Sequence, residues 1–592
     1  MKYNDVFSYI KGEELAFAQD HEVTDNWWWN FKKHINWTIL FKHGKFPLSQ
    51  NNYTIPAKNI VLPLLELRYR AEDIDLKEVV LYVDDQFKYH LSFLAKKYHE
   101  EVYAIEHKLE TFFDETKEEK IDFGGVIVRE GKDGPVWENL ETVAFCDRSD
   151  FLKGPICFKT EYTPEELYEK QKSGWGKIGA DTTIDELIDL FESSNASLKN
   201  QGKQAKDKVE VYRLHGSLPG EWLGDYKEKY IRQMCVIAFY QNAKGTATGV
   251  TLYKAREYKN PFKVHLDGKK LKNRCLAFGG VERLFDPQVW TNFSERVKHQ
   301  FLQAASKIIL WTDDEAFANG NDIKSQDNLT LNYINQGRQI GQIPTTPVNM
   351  RLFDGWVMEM QEHAERLSQA TGPLLGESAP SGTPFRAQER QVLEGRETHN
   401  YRKEKFSDFI KEIYEDIILP DIQKELVKGK KFLATLNLEE LEYVADAMAK
   451  NQAANILKEK VLNGENILEG EKEAEIEKAR ERIKGIGVSQ FLDILKGEFE
   501  AIPLKVKVTV GNRGKDLMAI TDKLSSVFQL ILQNPAILDD PRASKVFSNI
   551  IQFSGLDPIM FGVNKAVPRP VQPAQSAQIA QPVQPSKELA MV

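Results

Sequence analysis

Two stretches of the chain place apolar residues at every third or fourth position, which is the spacing of an amphipathic helix. The first begins with Asp286, a good N-cap, and Pro287, which suits a first turn, and it predicts a helix to about Leu310. Its predicted apolar face comprises Trp290, Phe293, Val297, Phe301, Ala304 and Ile308, and the polar stripe opposite comprises Asn292, Arg296, His299 and Gln303. The second predicted helix runs from Met350 to the stop signal at 372–373, with an apolar face of Phe353, Trp356, Val357, Met360, Ala364 and Leu367.

A third and longer helix is predicted after a loop of small residues at 372–383. Thr383 can cap it, Pro384 fits its first position, and no other proline occurs before Pro420, so the rod would be on the order of 50 Å long. Residues 386–405 are almost wholly polar, whereas the next part has an apolar stripe of Phe406, Phe409, Ile410, Ile413, Tyr414 and Ile417. This pattern favours a scaffold element in an assembly over the alternative, an exposed helix that bridges lobes of a monomer.

Between the first two helices, residues 311–347 are rich in Asn, Gln and Gly. Two alternating runs there, LTLNYINQG at 329–337 and RQIGQI at 338–343, predict a small β unit. The predicted order is therefore helix, small β insert, helix, loop and very long helix.

The first 284 residues predict a mixed α/β region. Alternating apolar residues flank a Gly/Asp turn in FGGVIVREGKDGPVW at 123–137, more strands are expected to about Thr160, and 208–284 has a β-rich pattern. Helices are expected at 85–116, 163–172 and 181–192, and either strands or an apolar helix at 61–83.

The tryptophan-rich run at 26–41 admits two interpretations. Trp27, Phe31 and Ile35 recur at four-residue steps, as on the buried face of a helix, and core or subunit packing is favoured. The functional alternative is stacking of bases on aromatic side chains interleaved with the basic Lys32 and Lys33.

The C-terminal third is predicted to be mainly helical. Residues 433–462 predict paired amphipathic helices, and LKVKVTV at 504–510 predicts a half-buried strand. GEKEAEIEKARERIKG at 470–485 predicts a helix that is solvated or lines a hub, and the solvated interpretation is favoured. Two more helices are expected at 517–535 and 539–558, and the Pro/Gln/Ala-rich tail at 566–592 is expected to stay flexible.

Length, charge and cysteine content narrow the class of protein. At 592 residues, three or more structural units are expected. The net charge of −9 argues against a protein that grips nucleic acid through its phosphates, but it is compatible with one that lets DNA slide past.

Cys146 and Cys157 could meet across a hairpin, but all four cysteines are expected to be buried free thiols. Neither a signal peptide nor a membrane span is expected, because residues 1–20 are charged throughout and the longest apolar run, 60–67, is short.

Catalytic motifs are scarce. The H-E-x-x-H, G-x-S-x-G, dinucleotide-binding and Walker A patterns are absent from the sequence, and GNRGKD at 511–516 lacks phosphate-loop spacing. Asp313, Asp314 and Glu315 could bind a divalent cation, but adjacent acids at a helix end are usually solvated. We therefore expect no catalytic residue, cofactor or metal. The rival interpretation is a nuclease or an NTP-dependent factor whose acids are dispersed in the sequence.

The order of the predicted elements, together with three motifs, resembles the portal (head–tail connector) proteins of tailed bacteriophages. The motifs are GGVERLFDPQVWTN before the first helix, ERLSQATGPLLGE at the end of the second and SGTPFRAQE at the start of the third. The resemblance implies an α+β subunit of a ring, usually dodecameric, at one capsid vertex of the virion. Its implied partners are further copies of itself, the major capsid protein, the terminase packaging motor, a head–tail adaptor and double-stranded DNA in transit, bound without sequence specificity. Another connector ring, such as a tail adaptor, is a second rival.

The resemblance also assigns a role to each region. It implies an α/β wing at 1–284, stem helices at 285–311 and 350–371, a small β clip at 312–349, a tunnel loop at 372–383, a long wing helix at 384–430, a mainly helical C-terminal wing or crown at 431–565 and a flexible tail at 566–592.

The implied site residues fall in three of these regions. The tunnel loop would line the DNA path with Gly376, Glu377, Ser378, Pro380, Ser381, Gly382 and Thr383, and with Glu377 as its one charged residue it would not trap phosphates. The clip would meet its partner through Asn332, Tyr333, Arg338 and Gln339. The stem would make ring contacts through Arg296, His299, Glu359, Glu362 and Glu365. Because the first stem helix is mainly basic outside its apolar face and the second is acid-rich, we expect them to meet with complementary charge, within or between subunits.

Overall fold

The computed structural model describes residues 3–45, 58–76, 79–83, 88–132, 134–200, 207–241, 247–305, 309–313, 315, 337–343, 350–370, 385–428, 438–465, 470–485 and 505–508, with the single positions 529 and 547. The described chain is α+β, as predicted. It divides into a first compact unit, comprising Met1–Leu81, Lys97–Leu426 and Lys505–Asp516, and a second, comprising Tyr82–Lys96, Val427–Leu504 and Leu517–Val592.

The strands, in chain order, are β1 His21–Thr24, β2 Trp27–Trp29, β3 Val79–Tyr82, β4 Gly125–Gly131, β5 Gly134–Glu138, β6 Val143–Phe145, β7 Ile156–Tyr162, β8 Val209–Pro219, β9 Tyr230–Gln241, β10 Ala247–Arg256, β11 Phe262–Leu266, β12 Ile309–Thr312, β13 Ile340–Ile343 and β14 Lys505–Val508. The α-helices are α1 Tyr3–Phe17, α2 Phe31–Lys42, α3 Val61–Ala71, α4 Tyr89–Tyr98, α5 Ala104–Glu106, α6 Leu109–Phe123, α7 Pro164–Lys170, α8 Ile184–Asn200, α9 Gly220–Leu223, α10 Gly280–Arg283, α11 Phe285–Ala305, α12 Met350–Ser368, α13 Phe385–Ile413, α14 Leu419–Lys428, α15 Leu438–Leu462 and α16 Glu471–Lys484. Two π-helical segments, His99–Tyr103 and Tyr414–Ile418, connect α4 to α5 and α13 to α14.

A five-stranded antiparallel meander, in the order β10-β9-β8-β7-β6, lies in the first unit. Its two faces enter different hydrophobic clusters because side chains alternate across a strand. Val211 and Val236 belong to the cluster that α7 and α8 cover, whereas Tyr212 and Ile237 belong to the cluster that α1 and α2 cover. The β-rich prediction for 208–284 is confirmed, and the sheet carries helices on both faces.

The predicted hairpin and several local signals are also confirmed. β4 and β5 pair antiparallel around the turn that follows Gly131, and β11 pairs with the other edge of β4. Thr163 caps α7 by accepting a hydrogen bond from the Glu166 N–H, while the Glu166 carboxylate accepts one from the Thr163 N–H. The region 61–83, for which two interpretations were open, contains both α3 and β3, and β3 pairs with β14.

The tryptophan-rich run does not form one helix. Trp27 lies in β2, and α2 begins only at Phe31, where the Asn30 side chain accepts a hydrogen bond from the Lys33 N–H. The predicted helical face is therefore wrong for Trp27 and correct for Phe31 and Ile35, which are buried. The backbone N–H groups in the first turn of a helix need partners outside the helix. Asn30 supplies one for a helix that begins at Phe31, and this cap outweighs the four-residue spacing of the apolar residues.

Two glycines bring α10 against the end of α6. A Cβ at Gly279 would collide with the carbonyl group of Asp122, and one at Gly280 would collide with the side chain of Leu65. This close approach lets Val281 and Leu284 enter a hydrophobic cluster with α3 and α6. The glycines of GGVERLFDP thus fix the point from which α11 leaves the first unit's core.

The long helix continues past Pro420, the first proline after its start, and ends at Lys428. α13, the segment Tyr414–Ile418 and α14 follow one another directly, and in the π-helical turn the Leu419 N–H bonds to the Tyr414 carbonyl, five residues earlier. The wider turn relieves the clash between a proline ring and the preceding turn, so the helix continues through Pro420. The predicted apolar stripe is confirmed, since all six of its members are buried.

In the second unit, α15 and α16 pack against each other. Arg480 Nε donates to Asp446 Oδ1 at 2.5 Å, and Lys460 Nζ donates to Glu471 Oε1 at 2.6 Å. One helix, α15, occupies the region in which paired helices were predicted. α16 is helical as predicted, but it buries Ala479 and Ile483 and is not solvated on all sides.

Candidate functional site

α11 and α12 form an antiparallel helical hairpin. Near its tip, Lys298 Nζ donates to Asp354 Oδ1 at 2.5 Å, and the rings of Phe301 and Phe353 lie 5.6 Å apart. At its base, the C-terminal residues Ala364 and Ala370 share a hydrophobic cluster with Leu284, which precedes α11.

A two-stranded ribbon lies between the two helices in the chain. β12 and β13 pair antiparallel from Ile309↔Ile343 to Thr312↔Ile340. The prediction that the first helix reaches Leu310 is therefore wrong, because Leu310 is in β12. The predicted β unit is confirmed for the IGQI part of RQIGQI, whereas LTLNYINQG, apart from Gly337, lies outside the described residues. β-Branched and aromatic residues at 309–312 favour a strand once a partner strand is present, although they also fit a helical period.

The buried side of α11 is polar. Gln288 is fully buried, and its side chain accepts a hydrogen bond from the Ile60 N–H at 2.9 Å and donates to the Lys58 carbonyl at 2.9 Å and to Asn292 Oδ1 at 2.8 Å. Thr291 and Ser294, one turn apart on this side, are buried as well. The hydrogen bonds of the Gln288 side chain, rather than apolar packing, fix the orientation of α11 about its axis.

The apolar side of α11 is exposed instead. Trp290 is 50% exposed and Phe293 is 54% exposed, and the ring of Trp290 contacts those of Phe293 and Trp356 at centroid distances of 5.9 and 6.2 Å. The other exposed large apolar side chains of the two helices are Val289, Phe301, Leu302, Leu352 and Met358. We call this set the aromatic face of the hairpin. A face of this kind on a single chain is typical of a surface that binds another protein.

Charged residues flank the aromatic face. Lys298 and Asp354 join the two helices, so the predicted charge complementarity is present within the chain at this point. Within the described ranges, Arg296, His299 and Glu359 are exposed and make no ion pair. Glu362 lies 3.6 Å from Arg366 on its own helix, and Glu365 accepts a long hydrogen bond from Gln361 at 3.4 Å. Most of the predicted stem residues thus remain accessible to a partner.

The ribbon carries two of the predicted clip residues. The Gln339 N–H donates to Asp313 Oδ1 at 2.8 Å, and Arg338 Nη1 lies 3.8 Å from Asp313 Oδ2. Both side chains are exposed at the end of β13. The other predicted clip residues, Asn332 and Tyr333, and the tunnel loop with Gly376, Glu377, Ser378, Pro380, Ser381, Gly382 and Thr383 lie outside the described residues.

A buried charge cluster attaches the long helix to the first unit. Glu72 is fully buried and accepts hydrogen bonds from Arg68 Nε and Lys120 Nζ, each at 2.6 Å. The long helix contributes His399, whose Nδ1 lies 3.7 Å from Glu72 Oε1, and Arg402, whose Nη1 lies 3.9 Å from it. Burial alone would raise the pKa of Glu72, but Lys120 and Arg68 hold it well below its usual range.

No pattern in the sequence predicts this cluster. The i,i+4 spacing of Arg68 and Glu72 is visible in the sequence, but it is equally typical of an exposed helix pair. Nothing in the polar run 386–405 distinguishes the buried His399 from its exposed neighbours. These residues matter because they fix the direction in which the long helix runs.

All four cysteines are free and buried, as predicted. Among the described residues, no three His, Cys, Asp or Glu side chains are grouped as a metal site would require. No described helix combines the length and apolar character needed to cross a membrane.

No protein-family model matches this chain, and no curated protein matches it.

Proposed function

We propose that this protein is a phage portal subunit, which assembles with copies of itself into a ring that conducts double-stranded DNA into and out of the capsid. In this proposal the ring occupies a capsid vertex of the virion and contacts the major capsid protein. The terminase packaging motor and a head–tail adaptor dock on it, and the subunit has no catalytic activity, cofactor or metal of its own.

The observation that carries the proposal is the aromatic face of the α11–α12 hairpin. The hairpin emerges from a mixed α/β region, has a β ribbon at its tip and precedes a long helix, in the order that a portal stem, clip and wing would need. Its exposed aromatic side chains have a strong tendency to leave water, and repetition of the subunit around an axis would cover them with the next copy. Cyclic assembly uses two different surfaces of each subunit, so the charged residues beside the face would set the register.

Light scattering after size-exclusion chromatography tests the proposal. We expect the full-length protein to elute as a closed oligomer with the mass of many chains. Truncation of a central interface aromatic typically costs about 2 kcal/mol or more. Trp290→Glu and Phe293→Glu, which also place a charge in the interface, should therefore shift the protein to small species.

The matched control is Tyr226→Glu, which places the same charge on an aromatic residue that is 84% exposed and outside the hairpin. This variant should assemble normally. A wild-type protein that is a single chain at all concentrations, or hairpin variants that assemble like the control, would contradict the proposal. Nucleotide turnover or DNA cleavage by the purified protein would favour the enzyme alternative.

A further inference from the structure

An aromatic cleft of about 650 Å³ lies in the first unit, between β2, α2 and the start of α11. Its lining includes Trp27, Trp28, Trp37, Phe41, Phe278 and Phe285. Trp28 is 62% exposed and Trp37 is 41% exposed, so the cleft has a wide opening with aromatic rims. Neither the channel nor the subunit interface of the proposed function requires this cleft.

The aromatic side chains are held in stacked pairs. The rings of Trp27 and Phe278 lie 5.7 Å apart at an angle of 12°, and those of Trp37 and Phe41 lie 5.8 Å apart at 17°. The guanidinium group of Arg274 lies 4.9 Å from the centre of the Phe278 ring and supports it from a buried position. The walls of the cleft are therefore already formed without a ligand, which lowers the entropic cost of binding.

Two polar atoms of the lining are unused. Trp29 Nε1 and His34 Nε2 are buried and have no hydrogen-bond partner among the described residues. Burial lowers the pKa of His34 to about 4, so its imidazole is neutral at physiological pH. Buried polar groups of native proteins are normally paired, and an indole N–H that lines a cleft suits a ligand carbonyl group.

The rim of the cleft is acidic. The carboxylate of Asp20 is already paired within the chain, because Lys33 Nζ donates to its two oxygens at 2.9 and 3.0 Å. Asp286 also lines the cleft, is exposed, and has no ion-pair partner in the part of the chain that the structure describes. The cleft therefore offers one free carboxylate beside an aromatic surface.

Stacked aromatics, an indole donor and a free carboxylate are the combination that binds proline-rich peptides carrying a basic residue. Such peptides favour the polyproline II conformation, which exposes carbonyl groups and packs proline rings on aromatic side chains. The C-terminal tail has this composition: the sequence Pro-Val-Gln-Pro occurs at 570–573 and again at 582–585. Arg569 directly precedes the first copy, and Lys587 follows the second.

We infer that the aromatic cleft is the docking site for the C-terminal tail of this protein, with Pro-Val-Gln-Pro on the Trp37 wall and Arg569 paired with Asp286. The carbonyl groups of the bound tail accept a hydrogen bond from Trp29 Nε1. The glutamine between the prolines supplies the polar group that faces His34. The inference goes beyond the proposed function and does not depend on ring assembly.

Fluorescence anisotropy with a fluorescein-labelled peptide of residues 566–592 tests the inference. The receptor is the full-length chain in which Pro570, Pro573, Pro582 and Pro585 are replaced by alanine, so that its own tail does not compete. We expect the wild-type peptide to bind about tenfold or more tightly than a peptide with the same four alanines. Trp37→Ala should weaken binding by about tenfold, and Tyr226→Ala, which removes an aromatic side chain that is 84% exposed and outside both the cleft and the hairpin, should leave it unchanged.

A charge exchange provides a second test that does not disturb the aromatic walls. Asp286→Arg should weaken binding of the wild-type peptide by about tenfold, and a peptide carrying Arg569→Glu should restore it. Equal binding of the wild-type and alanine peptides, absence of binding, an equal loss with Tyr226→Ala, or failure of the charge exchange would overturn the inference. A single-chain mass with retained peptide binding would instead contradict only the proposed function.

Discussion

His99 Nε2 lies 2.9 Å from the hydroxyl oxygen of Tyr414, and each residue is the first of a five-residue π-helical segment. Both residues are buried, so this polar pair crosses an otherwise apolar contact between the N-terminal region and the long helix. π-Helical turns inside α-helices are rare and are frequently found at functional sites. Here the two turns meet, and the hydrogen bond fixes their register.

The hydrogen bond between His99 and Tyr414 predicts that Tyr414→Phe lowers the stability of the protein. Removing the hydroxyl group leaves His99 Nε2 buried without its partner, which should lower the free energy of unfolding by about 1–3 kcal/mol. Urea denaturation followed by circular dichroism measures the change. Tyr401→Phe is the control, because Tyr401 lies on the same helix and is 60% exposed, and it should change stability by less than about 0.5 kcal/mol. Equal effects of the two variants would show that the buried bond contributes nothing.

The same pair predicts how stability depends on pH. Burial lowers the pKa of His99 to about 4 from the ordinary 6.5, so between these values the unfolded chain binds a proton that the folded chain does not. Stability therefore falls as the pH drops from 6.5 towards 4, by up to about 1.4 kcal/mol per pH unit for this group. His99→Gln should make the urea midpoint less dependent on pH in this window. An unchanged pH dependence in the variant would mean that His99 is not neutral in the folded protein.

Glu72 is predicted to be the most sensitive residue of the charge cluster. Glu72→Gln removes the carboxylate that Arg68 and Lys120 both contact, and breaking a buried pair in this way typically costs about 3–5 kcal/mol. Because the folded pKa of Glu72 is lowered, its contribution is present above the unfolded pKa and is lost as the pH falls below about 4.5. Thermal unfolding of Glu72→Gln and of the exposed control Glu397→Gln measures the difference. Similar unfolding temperatures for the two variants would contradict the role of the cluster.

Charge reversal on α12 tests the register of the proposed assembly. Replacing Glu359, Glu362 and Glu365 together by lysine should prevent closed oligomers, because the acid-rich side of the stem would then repel a basic neighbour. The control replaces the exposed acids Glu165, Glu169 and Asp189 by lysine, which changes the net charge by the same amount elsewhere. Analytical ultracentrifugation separates the species. Oligomers of normal size from the α12 variant would refute a role for these charges.

Local signals in the sequence predicted much of the fold, and long-range contacts account for most of the differences. Caps and turns at Thr163 and Gly131 act within a few residues, so their effects can be read from the sequence. The strand at Ile309–Thr312 could not be predicted from local signals. Its apolar residues fit a helical period, but they form a strand because they pair with β13, about thirty residues later in the chain.

In the candidate site, too, local signals predict one feature and a long-range contact decides another. The periodicity that selects Trp290 and Phe293 gives an apolar helix face, but it does not say whether that face is buried or exposed. The outcome depends on Gln288, whose hydrogen bonds to residues 58–60 orient the helix with its polar side inward. Exposure of the face, which supports the proposed function, therefore follows from a contact across more than two hundred positions of sequence.

Electron microscopy of the negatively stained, full-length protein shows whether the subunits form a ring. We expect ring-shaped particles of uniform subunit number with a central opening wide enough for a DNA duplex, and the loss of these particles in Trp290→Glu. Compact particles without an opening, under conditions in which the protein is folded, would contradict the proposed function.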